Sequence, residues 1–262
     1  MTSNKRILNC ISSRETENDW RLKKAKTDGV ISVKPKIPLS VDLRDNTWWK
    51  IKNQGTSGSC VGWAATDSLL RWHFTKKRKI KKEEHLSVRF IWMSAKEMDE
   101  FSKKPTACID DSGTSIKTAL SVARRFGVVK EEVLPFHGEA TKLGEDKFFK
   151  LAAKLKIKSY YNLIPKKGNK LDDFKLWLAH HGPILTCLDC DKSWNKIKNN
   201  GFLEKYFPKT IDGGHAVSIV GYTPTHFIIR NSWGTDWGDK GYAYASYEYA
   251  QAAFNEAYGI TI

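Results

Sequence analysis

Several things are scarce in this sequence. No window approaches the run of roughly 18 apolar residues that a membrane-crossing helix needs. Near the start, Lys5 and Arg6 precede Ile7, Leu8, Cys10 and Ile11. Asn9 interrupts that stretch, which is shorter than the apolar core of about 7–15 residues in a secretory leader. Cysteine is sparse and odd in number, five in 262 residues, whereas secreted disulfide frameworks are denser and usually even. A reducing, cytoplasmic location is therefore expected, with export by a route that needs no leader left open. Internal repeats and low-complexity segments are missing as well. Acidic residues are in short supply, 29 against 44 Lys+Arg. That imbalance implies attraction to polyanions or simple solubility, and says nothing about fold.

What is present suits an ordered globular protein. The length allows one large domain or two closely packed lobes, and ten Trp favour aromatic cores over disorder. The densest charge cluster, Lys76-Lys77-Arg78-Lys79 with Lys81 and Lys82, follows an apolar-periodic segment, where cations suit the end of a helix dipole. It offers a surface to an acidic partner. No aromatics are interleaved to stack on bases, which argues against nucleic acid.

Residues 1–35 are polar and poor in apolar periodicity, and read as an N-terminal tail or short prosegment, with a strap across a cleft as one form such a segment takes. From residue 36 to 262 the chain reads as folded domain. Between Ser59 and about Phe74, the residues Val61, Ala64, Ala65, Ser68, Leu69 and Trp72 share one helical face, small first and large later. Further helices are predicted over Leu86 to about Phe101 with Ser87 as cap, Ser115 to Phe126 stopped by Gly127, 145–156 and 171–181. Short β-branched or aromatic runs then follow at Pro183–Leu188, Ala216–Tyr222, Phe227–Asn231 and Gly241–Tyr249. The pattern implies an α+β fold of two lobes meeting at a cleft, mainly helical over about 46–135 and mainly β over about 136–262.

One loop stands out chemically. Asn53-Gln54-Gly55-Thr56-Ser57-Gly58-Ser59-Cys60 is rich in turn formers and leads straight into the long helix. Cys60 thus falls in the first helical turn, where free N–H groups and the positive dipole end favour a thiolate. Gln54 brings an amide donor to the same end, placed with the Cys60 N–H to stabilise an oxyanion. A thiolate needs a proton acceptor that titrates near neutrality. His215 follows Gly213-Gly214 and opens a strand, and Asn231 ends the next one. If those strands form a hairpin through Thr223 to His226, His215 and Asn231 meet at the end away from the turn.

The blocks Gln54…Gly58-Ser59-Cys60, Gly214-His215-Ala216-Val217 and Asn231-Ser232-Trp233-Gly234, in that order, resemble the active-site blocks of papain-family cysteine peptidases. Val41-Asp42-Leu43-Arg44 resembles the start of the mature enzymes, and the likeness spans about residues 38–250. It implies a papain-like fold, a helical lobe and an antiparallel β-barrel-like lobe around an active-site cleft. It implies thiol-dependent hydrolysis of peptide or isopeptide bonds in polypeptide substrates, without metal or organic cofactor. Cys60 would be the nucleophile, His215 the acid/base, Asn231 its orienting partner, and Gln54 an oxyanion donor. Ser112, Gly113, Gly214 and Trp233 would line the substrate cleft, with Gly214 leaving room in the main specificity pocket. Departures are the missing upstream Cys (Ser57 stands there), Val61 in place of an aromatic, and a tail far shorter than the family's helical prodomain. An acyltransferase using an amine acceptor, or a catalytically silent binding protein, remains open. Cys187 and Cys190 would face opposite sides of a strand and lack a second ligand pair, so no metal site is expected. His180-His181 reads as helix-end capping. The oligomeric state is not legible.

Overall fold

The small residues at the start of the long apolar helix decide how closely it can be packed. The computed structural model describes residues 6–32, 36–99, 104–197 and 199–262. In chain order the elements begin with α1 (Leu22–Thr27), β1 (Val41–Asp42) and the central helix. That helix is one rod in three parts: α2 (Cys60–Trp63), a π-helical stretch Ala64–Leu70, and α3 (Arg71–Lys76). Then come α4 (Val88–Glu97), α5 (Ile116–Arg125), α6 (Glu145–Ala152), β2 (Ser159–Asn162), α7 (Lys170–His180) and β3 (Ile184–Cys190). The chain continues through α8 (Lys192–Asn195), β4 (Phe202–Leu203), β5 (Gly213–Tyr222), β6 (His226–Arg230), β7 (Tyr242–Ser246), α9 (Tyr247–Ala253) and β8 (Phe254–Thr261).

Helix starts follow their capping chemistry. Ser87 Oγ accepts from Phe90 N at 3.0 Å and Ser115 Oγ from Thr118 N at 3.2 Å, each satisfying an N–H that the helix itself leaves free. The helix expected over Leu86 to about Phe101 runs from Val88 to Glu97, and Phe101 lies outside the described residues. Gly62 lets the central helix press on α4. A Cβ there would stand 2.7 Å from Trp92 Cβ.

The strands form one sheet in the order β2-β8-β3-β5-β6-β7-β4, with β1 added on β5. All pairings between these strands are antiparallel except β4 with β7. The central helix, α4 and α5 cover one face, where Val61, Leu69, Ile91 and Leu120 meet Leu185, Cys187 and Ala216. On the other face Phe174, Trp177, Trp194 and Tyr249 cover Leu188, Val217 and Ile219. Cys187 and Cys190 thus face opposite cores, as strand alternation requires. Four strands went unread in the sequence: β1 and β4, which are only two residues long, and β2 and β8, whose residues show no clean alternation. The run expected to stay extended through Tyr249 turns helical at Tyr247, where Ser246 Oγ accepts from Tyr249 N at 3.0 Å. Within the tail, Leu22 and Ala25 of α1 are buried with Ile31, although no periodicity announced them.

Three histidines are held neutral by this packing. Burial lowers His73 to about 3, and His181 and His215 to about 4, from an ordinary 6.5. The unfolded chain therefore takes up protons near pH 6.5 that the folded chain refuses. Their contribution to stability is intact above pH 6.5 and drains as pH falls toward 4. His73 Nε2 has no hydrogen-bond partner among the described residues. His73→Phe is expected to recover on the order of 3 kcal/mol of the loss between pH 7 and pH 4. Urea titrations at both pH values measure this; an unchanged pH dependence would contradict it.

Candidate active site

Cys60 opens the central helix, as the loop sequence predicted, and its side chain is fully buried. The hairpin of β5 and β6 is also as predicted, with Tyr222 opposite Phe227. Its open end brings His215 Nε2 to 2.8 Å from Asn231 Oδ1. Asn231 Oδ1 also accepts from Ser232 N. The other ring nitrogen, His215 Nδ1, is buried and unpartnered among the described residues. The Cys60 thiol lies beside the backbone N–H of Ala216, the residue after His215. The structure thus joins His215 to Asn231 and sets Cys60, at the start of the central helix, beside the residue that follows His215 on β5.

Tryptophans wall the imidazole. The Trp233 ring centroid is 4.6 Å from that of His215, tilted by 30°. Trp194 meets His215 edge-on at 5.7 Å and stacks on Trp237 at 5.1 Å. Trp233 was legible in the sequence, whereas Trp194 was missed, since it sits on the short α8 with no local signal. Gln54 is buried, with Oε1 accepting from Ser232 Oγ at 2.7 Å and Nε2 donating to Ser57 O at 3.0 Å. Its amide is thus oriented beside the loop that carries Cys60.

The groove is filled by the chain's own tail. Arg6 donates to Asn53 Oδ1, Gly55 O and Trp233 O. Asn9 Oδ1 accepts from Cys60 Sγ at 3.8 Å, while Asn9 Nδ2 donates to Asp111 O. Cys10 N donates to Gly214 O at 2.9 Å, and Ile11 N to Thr114 O at 3.2 Å. Ser13 N donates to Glu256 Oε1 at 2.7 Å. Side chains at Gly58, Gly113 or Gly214 would collide with Asn9 or Cys10. An extended backbone lies in the groove because glycine stands at these three places. Of the residues expected to meet substrate, Gly113, Gly214 and Trp233 contact residues 6–14, and Ser112 donates its N–H to Ile109 O. The tail had been read as polar, and nothing local in Asn9 or Cys10 marked them as groove ligands.

Under this strap the proton stays on sulfur. Burial drives the Cys60 thiol up to about 12, against the lowering effect of the Ala216 N–H, and burial lowers His215 despite the Asn231 bond. A thiolate–imidazolium pair is disfavoured while water is kept out.

Behind the site a buried charge cluster joins the halves. Arg230, next to Asn231, donates to Asp67 Oδ2 at 2.7 Å and Ser68 Oγ at 2.6 Å. Arg71 reaches Asp67 Oδ1 at 3.3 Å. Both acceptors ride on the π-helical stretch. Its widened turns release carbonyls that take outside donors, Ala64 O from Ser218 Oγ and Asp67 O from Trp49 Nε1. Among the described residues no group of three or more His, Cys, Asp or Glu is placed to hold a metal. Asp67→Ala would leave two buried guanidiniums without their carboxylate, and is expected to cost about 3–5 kcal/mol in urea unfolding. A loss under 1 kcal/mol would show that the cluster does not tie helix to strand.

The pattern shared by the papain family cysteine proteases matches residues 37–260. Cathepsin K of Mus musculus is 27% identical over 217 residues, 79% of this chain and 59% of that protein. Procathepsin L of Felis catus is 28% identical over 240 residues, 87% of this chain and 67% of that protein. The chain thus spans 59% and 67% of the lengths of these two relatives. Xylellain, a cysteine protease from Xylella fastidiosa, has a similar fold with a TM-score of 0.76 and 25% identity, covering 98% of this chain and 96% of that one. The family match begins beyond the strap, whereas the xylellain match extends into it. This chain belongs to the papain family of cysteine proteases.

Proposed function

We propose that this protein hydrolyses peptide or isopeptide bonds of polypeptides through an acyl-enzyme on Cys60, and that residues 6–14 hold it latent. The observation that carries the catalytic reading is the division of labour on one imidazole. His215 Nε2 is committed to Asn231 Oδ1, which leaves Nδ1 as the only ring atom free to exchange a proton. Asn231 fixes the ring plane and the tautomer. With substrate in place, Nδ1 takes the Cys60 proton and the sulfur attacks the carbonyl carbon. The oxyanion meets the Cys60 N–H and the second N–H of Gln54 Nε2. The imidazolium then protonates the leaving amine, and water activated by the same nitrogen releases the acid. The trio acts on residues 36–262 as its catalytic unit, with the groove between the helical face and the start of β5 as the substrate path.

Latency follows from where the strap lies. It covers Gly113, Gly214 and Trp233, and it keeps Cys60 and His215 dry and neutral. Withdrawal of residues 6–14 lets water in, which removes the burial that opposes ionisation of both groups. Five unpaired cysteines support a reducing, cytoplasmic setting. Among the described residues no helix is long and apolar enough to cross a membrane. Lys76, Arg78, Lys79, Lys81, Lys82 and Lys130 line a cleft of about 650 Å³. Their charge favours acidic polypeptides as partners.

An epoxysuccinyl probe on the full chain tests both parts. Cys60→Ala is expected to abolish labelling, and His215→Ala to slow it about 10²–10⁴-fold. The double variant R6E/S13P removes the Arg6 contacts and the Ser13 N–H, and is expected to label at least about tenfold faster than wild type, since groove access rises with strap release. Persistent labelling of Cys60→Ala overturns the nucleophile assignment. Equal rates for wild type and R6E/S13P overturn latency.

A further inference from the structure

The strap carries a thiol that catalysis does not use. Cys10 is buried (6% exposed) and packs in the same core cluster as Cys60, Cys187 and Ala216. Its backbone is pinned by the bond from Cys10 N to Gly214 O, and Gly214 pairs with Asp189 on β3. Cys187 lies two residues along β3 from Asp189, on the same face, paired with Ala216. Cys10 therefore lies at the Gly214 end of the β3–β5 pair, in the same buried cluster as Cys187, and the nearby Cys187 adds to burial in raising the Cys10 thiol. All five cysteines are free. Cys190 points into the opposite core, and Cys108 is exposed.

We propose that Cys10 and Cys187 form a redox modification site, a reversible disulfide that latches the N-terminal strap in the substrate groove. The proposal rests on the latent-peptidase reading above for its consequence, but not for the bond itself. The co-reactant is a low-molecular-weight disulfide such as oxidised glutathione. Cys10, reached when the strap lifts, attacks one of its sulfurs as thiolate and expels the first thiol. As the strap reseats, Cys187 attacks the Cys10 sulfur of the mixed disulfide and expels the second. Two protein protons leave with two thiols formed, and two electrons pass from the cysteine pair to the small disulfide. A strong reductant reverses both steps and frees the strap.

Seated, both thiols are buried, and burial raises the Cys10 thiol well above its ordinary value. Exchange is therefore gated by lifting of the strap. Once closed, the bond joins positions 10 and 187, so the strap cannot leave the groove while the domain stays folded. The latch also shields Cys60, since the nucleophile lies under Asn9 and is kept from oxidants that would carry a thiolate to irreversible sulfur acids.

The experiment uses the full chain as wild type, C10S, C187S and C190S. Each is equilibrated in glutathione buffers from reducing to oxidising, trapped with iodoacetamide under denaturing conditions and digested with trypsin. In wild type and C190S, oxidation is expected to link peptide 7–14 to peptide 176–192. The link is absent in C10S and C187S. In parallel, Cys60 is read in peptide 53–71 as epoxysuccinyl label plus glutathione adduct. This total is expected to fall at least about tenfold below its reduced level in oxidised wild type, to return with dithiothreitol, and to keep its reduced level in C187S, where the unlatched strap can still lift. No 7–14/176–192 link at any glutathione ratio, its persistence in C187S, or a link from 7–14 to 53–71 instead would overturn the proposal. The peptidase reading fails separately, if reduced R6E/S13P does not label at Cys60 while the linked peptide still forms in oxidised wild type.

Discussion

Asp67 places a carboxylate where water does not reach and holds two guanidiniums against it. One belongs to Arg71, on the same helical rod as Cys60; the other belongs to Arg230, the residue before Asn231. Helix and strand are thereby fixed relative to each other at the depth of the active site. A buried charge cluster of this kind is costly to desolvate and more costly to break, so it tolerates little displacement. The π-helical stretch belongs to the same device. It brings Asp67 and Ser68 to the strand while its released carbonyls find donors elsewhere in the core. The thiol and the imidazole depend on this joint for their alignment, because each sits at the end of an element that the joint clamps.

The second constraint is the absence of side chains around the groove. Gly58, Gly113 and Gly214 leave a channel as wide as one extended backbone, and residues 6–14 lie in it. On the proposed reading a substrate would take the same surface, and the same Gly214 carbonyl, that the strap now holds. Under the strap, burial favours the neutral form of both the Cys60 thiol and the His215 imidazole. In this papain-family chain the groove is thus covered by a few residues of its own, through backbone bonds at Gly214 and Thr114.

Much of the site was legible along the chain, and for identifiable reasons. Cys60 could be placed because turn formers and an apolar helix meet there. His215 and Asn231 could be paired because β-branched runs flank a short turn, and a hairpin returns its ends to each other. The capping serines Ser87 and Ser115 announced their helices through the N–H groups they satisfy. Strands β2 and β8 were missed because both faces of the sheet are covered at that edge, which removes the alternation that marks a strand. The helix at Tyr247 was misread because aromatic residues suit a strand, and only Ser246 signalled the change.

The sequence by itself determined which residue types could do thiol chemistry, and the secondary structure that carries them, since capping, turn geometry and apolar periodicity act over a few residues. Only the tertiary structure decided that Asn9 and Cys10 would fill the groove, that Trp194 would join the wall around His215, and that Cys187 would meet Cys10. Those contacts join positions far apart in the chain. Each is selected by the shape and polarity of a surface that exists only once the sheet and the central helix have packed, and no local pattern encodes it.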